Sequence, residues 1–204
     1  MRLTKLKSSA GFTIIELLIA TAVLSTILLL VTSLMINIGK LYYKGINQAR
    51  VQDNVRSITD EVAQHLQLGD SFIPVISGSE QAYCMGTTRY TYILNKQIGS
   101  DASTQSLHVL WRDKNPTPGN CPAALPVLTT PMPSSGGSEL IAPNARLTDF
   151  TITGSSPYSV SVSVAYGDDD LLNLSGVNTK CKGDIGDQFC ATAKLQTIVV
   201  RRLP

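Results

Sequence analysis

The stretch Gly11-Phe12-Thr13-Ile14-Ile15-Glu16-Leu17, continued by LIATAVLSTILLLVTSLMINI over residues 18–38, decides how this chain is read. From Phe12 to Ile38 it holds one charged side chain, Glu16. As a helix rising about 1.5 Å per residue, the run is roughly 40 Å long, enough to cross a hydrocarbon core of about 30 Å. An ordinary secretory signal is the first reading to weigh, and two features argue against it. Its apolar region is about 7–15 residues long, well short of this run. A carboxylate inside an apolar span is also costly, which gives Glu16 the standing of a functional group or of one half of a pair.

Upstream lies MRLTKLKSSAG, residues 1–11, with Arg2, Lys5 and Lys7 and no acidic side chain. Cutting between Gly11 and Phe12 frees an α-amino group at the membrane-embedded end of the helix. Against Glu16 of a neighbouring chain, that amine neutralises a charge that an isolated chain leaves exposed to lipid. Staggered assembly in register is thereby favoured. Basic residues flank both ends of the run, with Lys40 and Lys44 after it, so the positive-inside count is weak. Tyr42 and Tyr43 suit an interfacial aromatic belt.

The segment Gly11-Phe12-Thr13-Ile14-Ile15-Glu16-Leu17, with its basic leader and uninterrupted apolar run, resembles the signal of type IV prepilins and type II secretion pseudopilins. The resemblance implies cleavage after Gly11 by a prepilin peptidase, N-methylation of Phe12 and an assembly role for Glu16. It also implies an N-terminus-in anchor in the cytoplasmic (inner) membrane with the head outside, and a cell-surface pilus after assembly. Many major pilins carry Gly or Pro within the membrane half of the helix, where this chain has Ser25 and Ser33.

Beyond Gly39 the pattern turns amphipathic: Val51, Val55, Ile58, Val62 and Leu66 recur at helical spacing, with Arg56, Asp60, Glu61 and Gln64 on other faces. Gly69 stands where a helix C′ residue is expected. One helix over 12–68, about 85 Å long, accounts for this. A hinge at Gly39 and Gly45 between two helices is the alternative. The expected organisation is a leader at 1–11, a helix at 12–68 with 12–38 transmembrane, and an extracytoplasmic β-rich head at 69–204.

In the head, 89–95, 106–112, 146–152, 157–166 and 194–203 read as strands, separated by turn chemistry at Asn115-Pro116, Pro118-Gly119-Asn120, Gly136-Gly137 and Gly167-Asp168. The expected fold class is α+β, with the long helix packed on an antiparallel sheet. The Pro-rich tract 116–143 reads as a surface excursion.

The chain has 17 basic and 15 acidic residues for a net charge of +2, and DNA binding is not supported. Loss of the leader turns that balance slightly acidic. The four cysteines, Cys84, Cys121, Cys181 and Cys190, form no CxxC pair and have no histidine nearby in sequence. They read as two disulfides, for which three pairings exist. The loop CKGDIGDQFC before the last strand resembles the C-terminal disulfide loop of many pilins. That likeness favours Cys181–Cys190 with Cys84–Cys121.

No GxSxG, HExxH, Walker or GxGxxG motif occurs. His65 and His108 read as ordinary surface or core residues. Asp168-Asp169-Asp170 with Asn173, and Asp184 with Asp187, lack EF-hand spacing and read as solvated turns. Neither an enzyme, a metal nor a cofactor is expected. The expected partners are other pilin subunits, prepilin peptidase, the inner-membrane pilus assembly machinery and the lipid bilayer. The function this implies is a structural subunit, a minor pilin of a type IV pilus. Alternatives are a type II secretion pseudopilin or competence-pilus subunit, and a membrane-anchored adhesin or binding domain that never enters a fibre.

Overall fold

The computed structural model describes residues 11–99, 105–122, 124–132, 136–175, 178–183 and 185–202. Arg2, Lys5, Lys7 and Asp184 lie outside them. The chain divides into two compact units, Met1–Tyr42 and Tyr43–Pro204. One helix, α1 (Ile14–Leu68), runs unbroken through Gly39 and Gly45. It begins two residues after Phe12, because Thr13 serves as its N-cap.

In the first unit every residue from Phe12 to Ile38 is exposed, and an 18-residue window reaches a mean hydropathy of 2.6. Four hydroxyls within this run are satisfied locally. Thr21 Oγ1 donates to the Leu18 carbonyl (3.0 Å), Ser25 Oγ to Thr21 (2.7 Å), Thr26 Oγ1 to Val23 (2.8 Å) and Thr32 Oγ1 to Leu28 (2.9 Å). Hydroxyls bonded back to the helix in this way demand no water, which suits a helix in hydrocarbon.

In the second unit the rest of α1 buries Asn47, Val51, Val55, Ile58, Thr59, Val62 and Leu66. This is the amphipathic stripe read from the sequence, with two polar members added. The helix stops at Gly69, whose amide bonds the His65 carbonyl at 2.8 Å. A Cβ at Gly69 would lie 2.7 Å from that carbonyl oxygen, so close approach demands the glycine there.

Among the described residues twelve strands follow: β1 (Phe72–Ser77), β2 (Glu80–Met85), β3 (Thr88–Tyr92), β4 (Gln97–Ile98), β5 (Gln105–Ser106), β6 (Leu110–Lys114), β7 (Gly137–Glu139), β8 (Ala145–Thr153), β9 (Tyr158–Tyr166), β10 (Leu172–Asn173), β11 (Lys180–Cys181) and β12 (Ala191–Val199). They form two five-stranded sheets, ordered β1-β2-β3-β6-β7 and β12-β9-β8-β4-β5, and a β10-β11 ribbon. All pairs are antiparallel except β4–β5. The fold is therefore α+β, with two sheets where one was expected.

A single core cluster joins the helix stripe to both sheets. Its centre is Phe150, 2% exposed. The ring of Phe150 lies 5.2, 6.4 and 4.9 Å from those of Tyr83, Tyr90 and Tyr92. Edge-on aromatic packing of this kind adds about 0.5–1.5 kcal/mol per pair beyond area burial. Cys84 is bonded to Cys121 and Cys181 to Cys190, each with a Cα–Cα separation of 5.8 Å. The first bridge pins the Pro-rich tract to β2. That tract also supplies β7 and the fully buried Leu128, so it is built into the head instead of looping away from it.

Candidate processing and assembly segment

The start of α1 is organised by Thr13 and Glu16. The Thr13 amide donates to Glu16 Oε2 at 3.0 Å and its hydroxyl to the same oxygen at 2.9 Å. In return, the Glu16 amide donates to Thr13 Oγ1 at 3.3 Å. This is a capping box: two helix-start amides are satisfied by two side chains, and the carboxylate sits where the helix dipole favours negative charge. The sequence carries the signal as Thr13-x-x-Glu16, which the reading of Glu16 as a charge in need of an intersubunit partner passed over. Before the box, Phe12 is 84% exposed. A Cβ at Gly11 would meet no atom within 4 Å. Among the described residues, packing does not require glycine at Gly11.

The remaining chemistry-bearing residues lie in the head. Tyr90 Oη donates to Glu61 Oε1 at 2.9 Å and touches His65 Nδ1. A hydroxyl already donating to Glu61 can only accept from His65, so Nδ1 carries the imidazole proton. Arg112 Nη1 pairs with Glu61 at 3.0 Å, and Arg112 Nη2 donates to Ser138 Oγ at 2.9 Å. Burial lowers the His65 pKa, with Glu61 opposing and Arg112 reinforcing the shift. Burial also raises that of Tyr90, with the Glu61 charge adding to the effect. A cleft of about 430 Å³ opens beside this network, lined by His65, Thr87, Thr88, Arg112, Lys114 and Ser138 among others.

His108 lies in the connection before β6, not in a strand, with Glu139 3.6 Å away and Trp111 against its ring. Glu139 accepts from the amides of Val109 (2.9 Å), Leu110 (3.0 Å) and Ile141 (2.9 Å). Burial nonetheless raises its pKa above the usual carboxylate value. Glu139 has no sequence signal: it is one acid in a Gly- and Pro-rich tract. Among the described residues, neither histidine is hydrogen-bonded to a serine, threonine or cysteine.

The acidic turn is engaged by other groups of the head. Asp169 pairs with the fully buried Arg146. Gln97 Nε2 donates to Asp168 Oδ1 at 3.2 Å, and Lys182 Nζ donates to the Asp170 carbonyl at 2.6 Å. Asp187 pairs with Lys44 of the helix. Among the described residues no three His, Cys, Asp or Glu side chains are grouped to hold a metal.

The structure thus brings Gly11, Phe12 and Glu16 together at one helix start, and the four cysteines into two bridges in the head. A family model described as Prokaryotic N-terminal methylation motif matches residues 6–32. No curated protein and no solved structure matches the chain. The matched segment carries the type IV prepilin leader signal, and residues 33–204 lie outside the match.

Proposed function

We propose that this chain is a non-enzymatic structural subunit, a minor pilin, of a type IV pilus. The observation that carries this reading is the matched leader joined to a wholly exposed apolar helix whose one carboxylate is Glu16. Prepilin peptidase cuts between Gly11 and Phe12 and methylates the new amine. The helix holds the subunit in the inner membrane with the head outside. Glu16 then pairs with the Phe12 amine of a neighbouring subunit as the assembly machinery draws the helix from lipid into the fibre. The individuality of the head, with its pinned Pro-rich tract, supports a minor subunit over the bulk one.

Because Glu16 also caps its own helix, the informative variant is Glu16→Gln. Its amide oxygen still accepts from Thr13, so the cap survives while the charge is lost. The subunit should reach the membrane at wild-type level yet be depleted from sheared fibres, as should Glu16→Ala. Wild-type incorporation of Glu16→Gln would contradict the charge-pairing role.

A further inference from the structure

The segment Ala142-Pro143-Asn144-Ala145 is a β-turn leading into β8, closed by the Ala145 amide, which donates to the Ala142 carbonyl at 3.1 Å. Proline at its second position and Asn144 at its third, with a φ of +60°, are what a type II turn takes. The turn is tied to the rest of the head at both ends. Asn54 of α1 accepts from the Ala142 amide at 3.3 Å and donates to the Leu140 carbonyl at 2.7 Å. Gln97 Nε2 and the Gly167 amide donate to the Asn144 carbonyl, at 3.3 and 3.5 Å.

Between this turn, α1 and β9 a cavity of about 290 Å³ stays open, and every residue that lines it belongs to the unit 43–204. Val51, Ala145 and Val164, all buried, form its apolar floor. A turn fastened at both ends does not collapse onto that floor, so the apolar surface there lacks packing partners on one side.

The polar groups at the cavity are of one kind. Arg50 and Asn144, both exposed, and the half-buried Tyr166 line it as well. Among the described residues, the Arg50 guanidinium, the Asn144 side-chain amide and the Tyr166 hydroxyl have no partner within the chain. All three can donate hydrogen bonds, and one carries a permanent positive charge. Asp53, the acid nearest to Arg50 along α1, does not line the cavity and makes no ion pair with it. Asp168, beyond the turn, accepts from Gln97.

An apolar floor beneath three donors is complementary to a molecule with one anionic end and one apolar body. The planar fork of a guanidinium matches a carboxylate at two points. A bare hydrated anion such as phosphate would leave the floor unfilled, and a plain hydrocarbon would leave the donors unused. We propose that this cavity binds a small monocarboxylate with a single apolar body, an aryl or branched-chain acid. The carboxylate pairs with Arg50, with Tyr166 and Asn144 donating beside it, and the body rests on Val51, Ala145 and Val164. The head thereby gains a ligand-binding role beyond the structural one proposed for the chain, and that role does not depend on cleavage at Gly11.

The test uses the full chain in phosphatidylcholine nanodiscs with isotope-labelled valine methyls, titrated with phenylacetate and, separately, with its neutral amide. Val51 and Val164 report on the cavity, and Val23 and Val31 of the apolar run report on probe dissolved in lipid. Phenylacetate should shift the Val51 and Val164 methyls saturably, and the amide should bind about tenfold or more weakly, as a charge-assisted bond is lost. Arg50→Gln, at an exposed position, should weaken phenylacetate to a similar degree, and Tyr166→Phe by roughly threefold. Shifts at Val23 and Val31 without saturable shifts at Val51 and Val164 would overturn the site, since the probe would then sit only in lipid. Equal binding of acid and amide, or wild-type affinity in Arg50→Gln, would overturn carboxylate recognition and reduce the cavity to an apolar gap.

Discussion

The proposed function gives Glu16 a second duty beside the capping seen in the structure. In the subunit it accepts both the amide and the hydroxyl of Thr13, which lowers the cost of a charge in an apolar run. In the proposed fibre it meets a neighbour's amine. Thr13→Val separates these duties from the other side: the charge stays and the hydroxyl cap goes. It should enter sheared fibres nearly as well as wild type, in contrast to Glu16→Gln. Equal depletion of both variants would mean that capping, not charge, controls incorporation.

His65 offers a second test at this scale. Its folded pKa lies below the ordinary value near 6.5 because burial disfavours the cation. The unfolded chain therefore binds a proton more readily between those two values. Stability is full above about pH 6.5, falls as pH drops through that window, and levels off below the folded pKa. Glu139, whose pKa burial raises, works in the opposite direction. The comparison must therefore be made between wild type and His65→Gln, by urea midpoint from pH 7.5 to 5. The wild type should lose ground relative to the variant as pH falls; parallel curves would contradict the assigned shift.

At the scale of elements, the long helix was legible because two periodic signals abut: an unbroken apolar run and then a stripe at helical spacing. The strands β8 and β9 were legible from alternation, as in Val160, Val162 and Val164, all fully buried. Hairpin β1-β2 was missed although Gly78-Ser79 is a two-residue turn between paired Ser77 and Glu80, and Gly78 has a φ of +66°. Pro74 inside β1 masked it, since proline is tolerated there only because β1 is an edge strand. The short strands β4, β5, β10 and β11 have two residues each, too few for any period to show. Cysteine spacing left three pairings open, because proximity of Cys84 to Cys121 is a property of the sheet and not of the sequence.

That bridge spans 37 residues, and closing such a loop typically stabilises by about 2–4 kcal/mol. The double variant Cys84→Ser, Cys121→Ser should lower stability by that order in urea unfolding. No shift in midpoint would mean that β7 and Leu128 hold the Pro-rich tract unaided. Phe150→Ala removes the centre of the aromatic cluster and should cost about 3–5 kcal/mol, as large-to-small core changes of this kind do. A cost under about 1 kcal/mol would show that the surrounding tyrosines collapse into the space.

At the scale of the whole molecule, the two units have opposite relations to solvent. Residues 43–204 bury an apolar core and staple it twice; residues 12–38 leave every apolar side chain uncovered. Exposed apolar surface on that scale requires lipid or other helices around it. The proposed pilin role meets both requirements in turn, first the bilayer and then the fibre. The pocket beside His65 and Arg112 and the acidic turn have no part in this account; Arg112 is paired with Glu61 and Asp169 with Arg146 within the head.

The central claim is that the chain is a processed prepilin, and the most direct measurement is the intact mass and N-terminal sequence of the protein taken from its native membrane or sheared fibres. The account predicts a chain that starts at N-methylated Phe12, with residues 1–11 absent. Mature protein that retains residues 1–11 would contradict it: Gly11 would not be a cleavage site, and no free Phe12 amine would exist for Glu16 to meet.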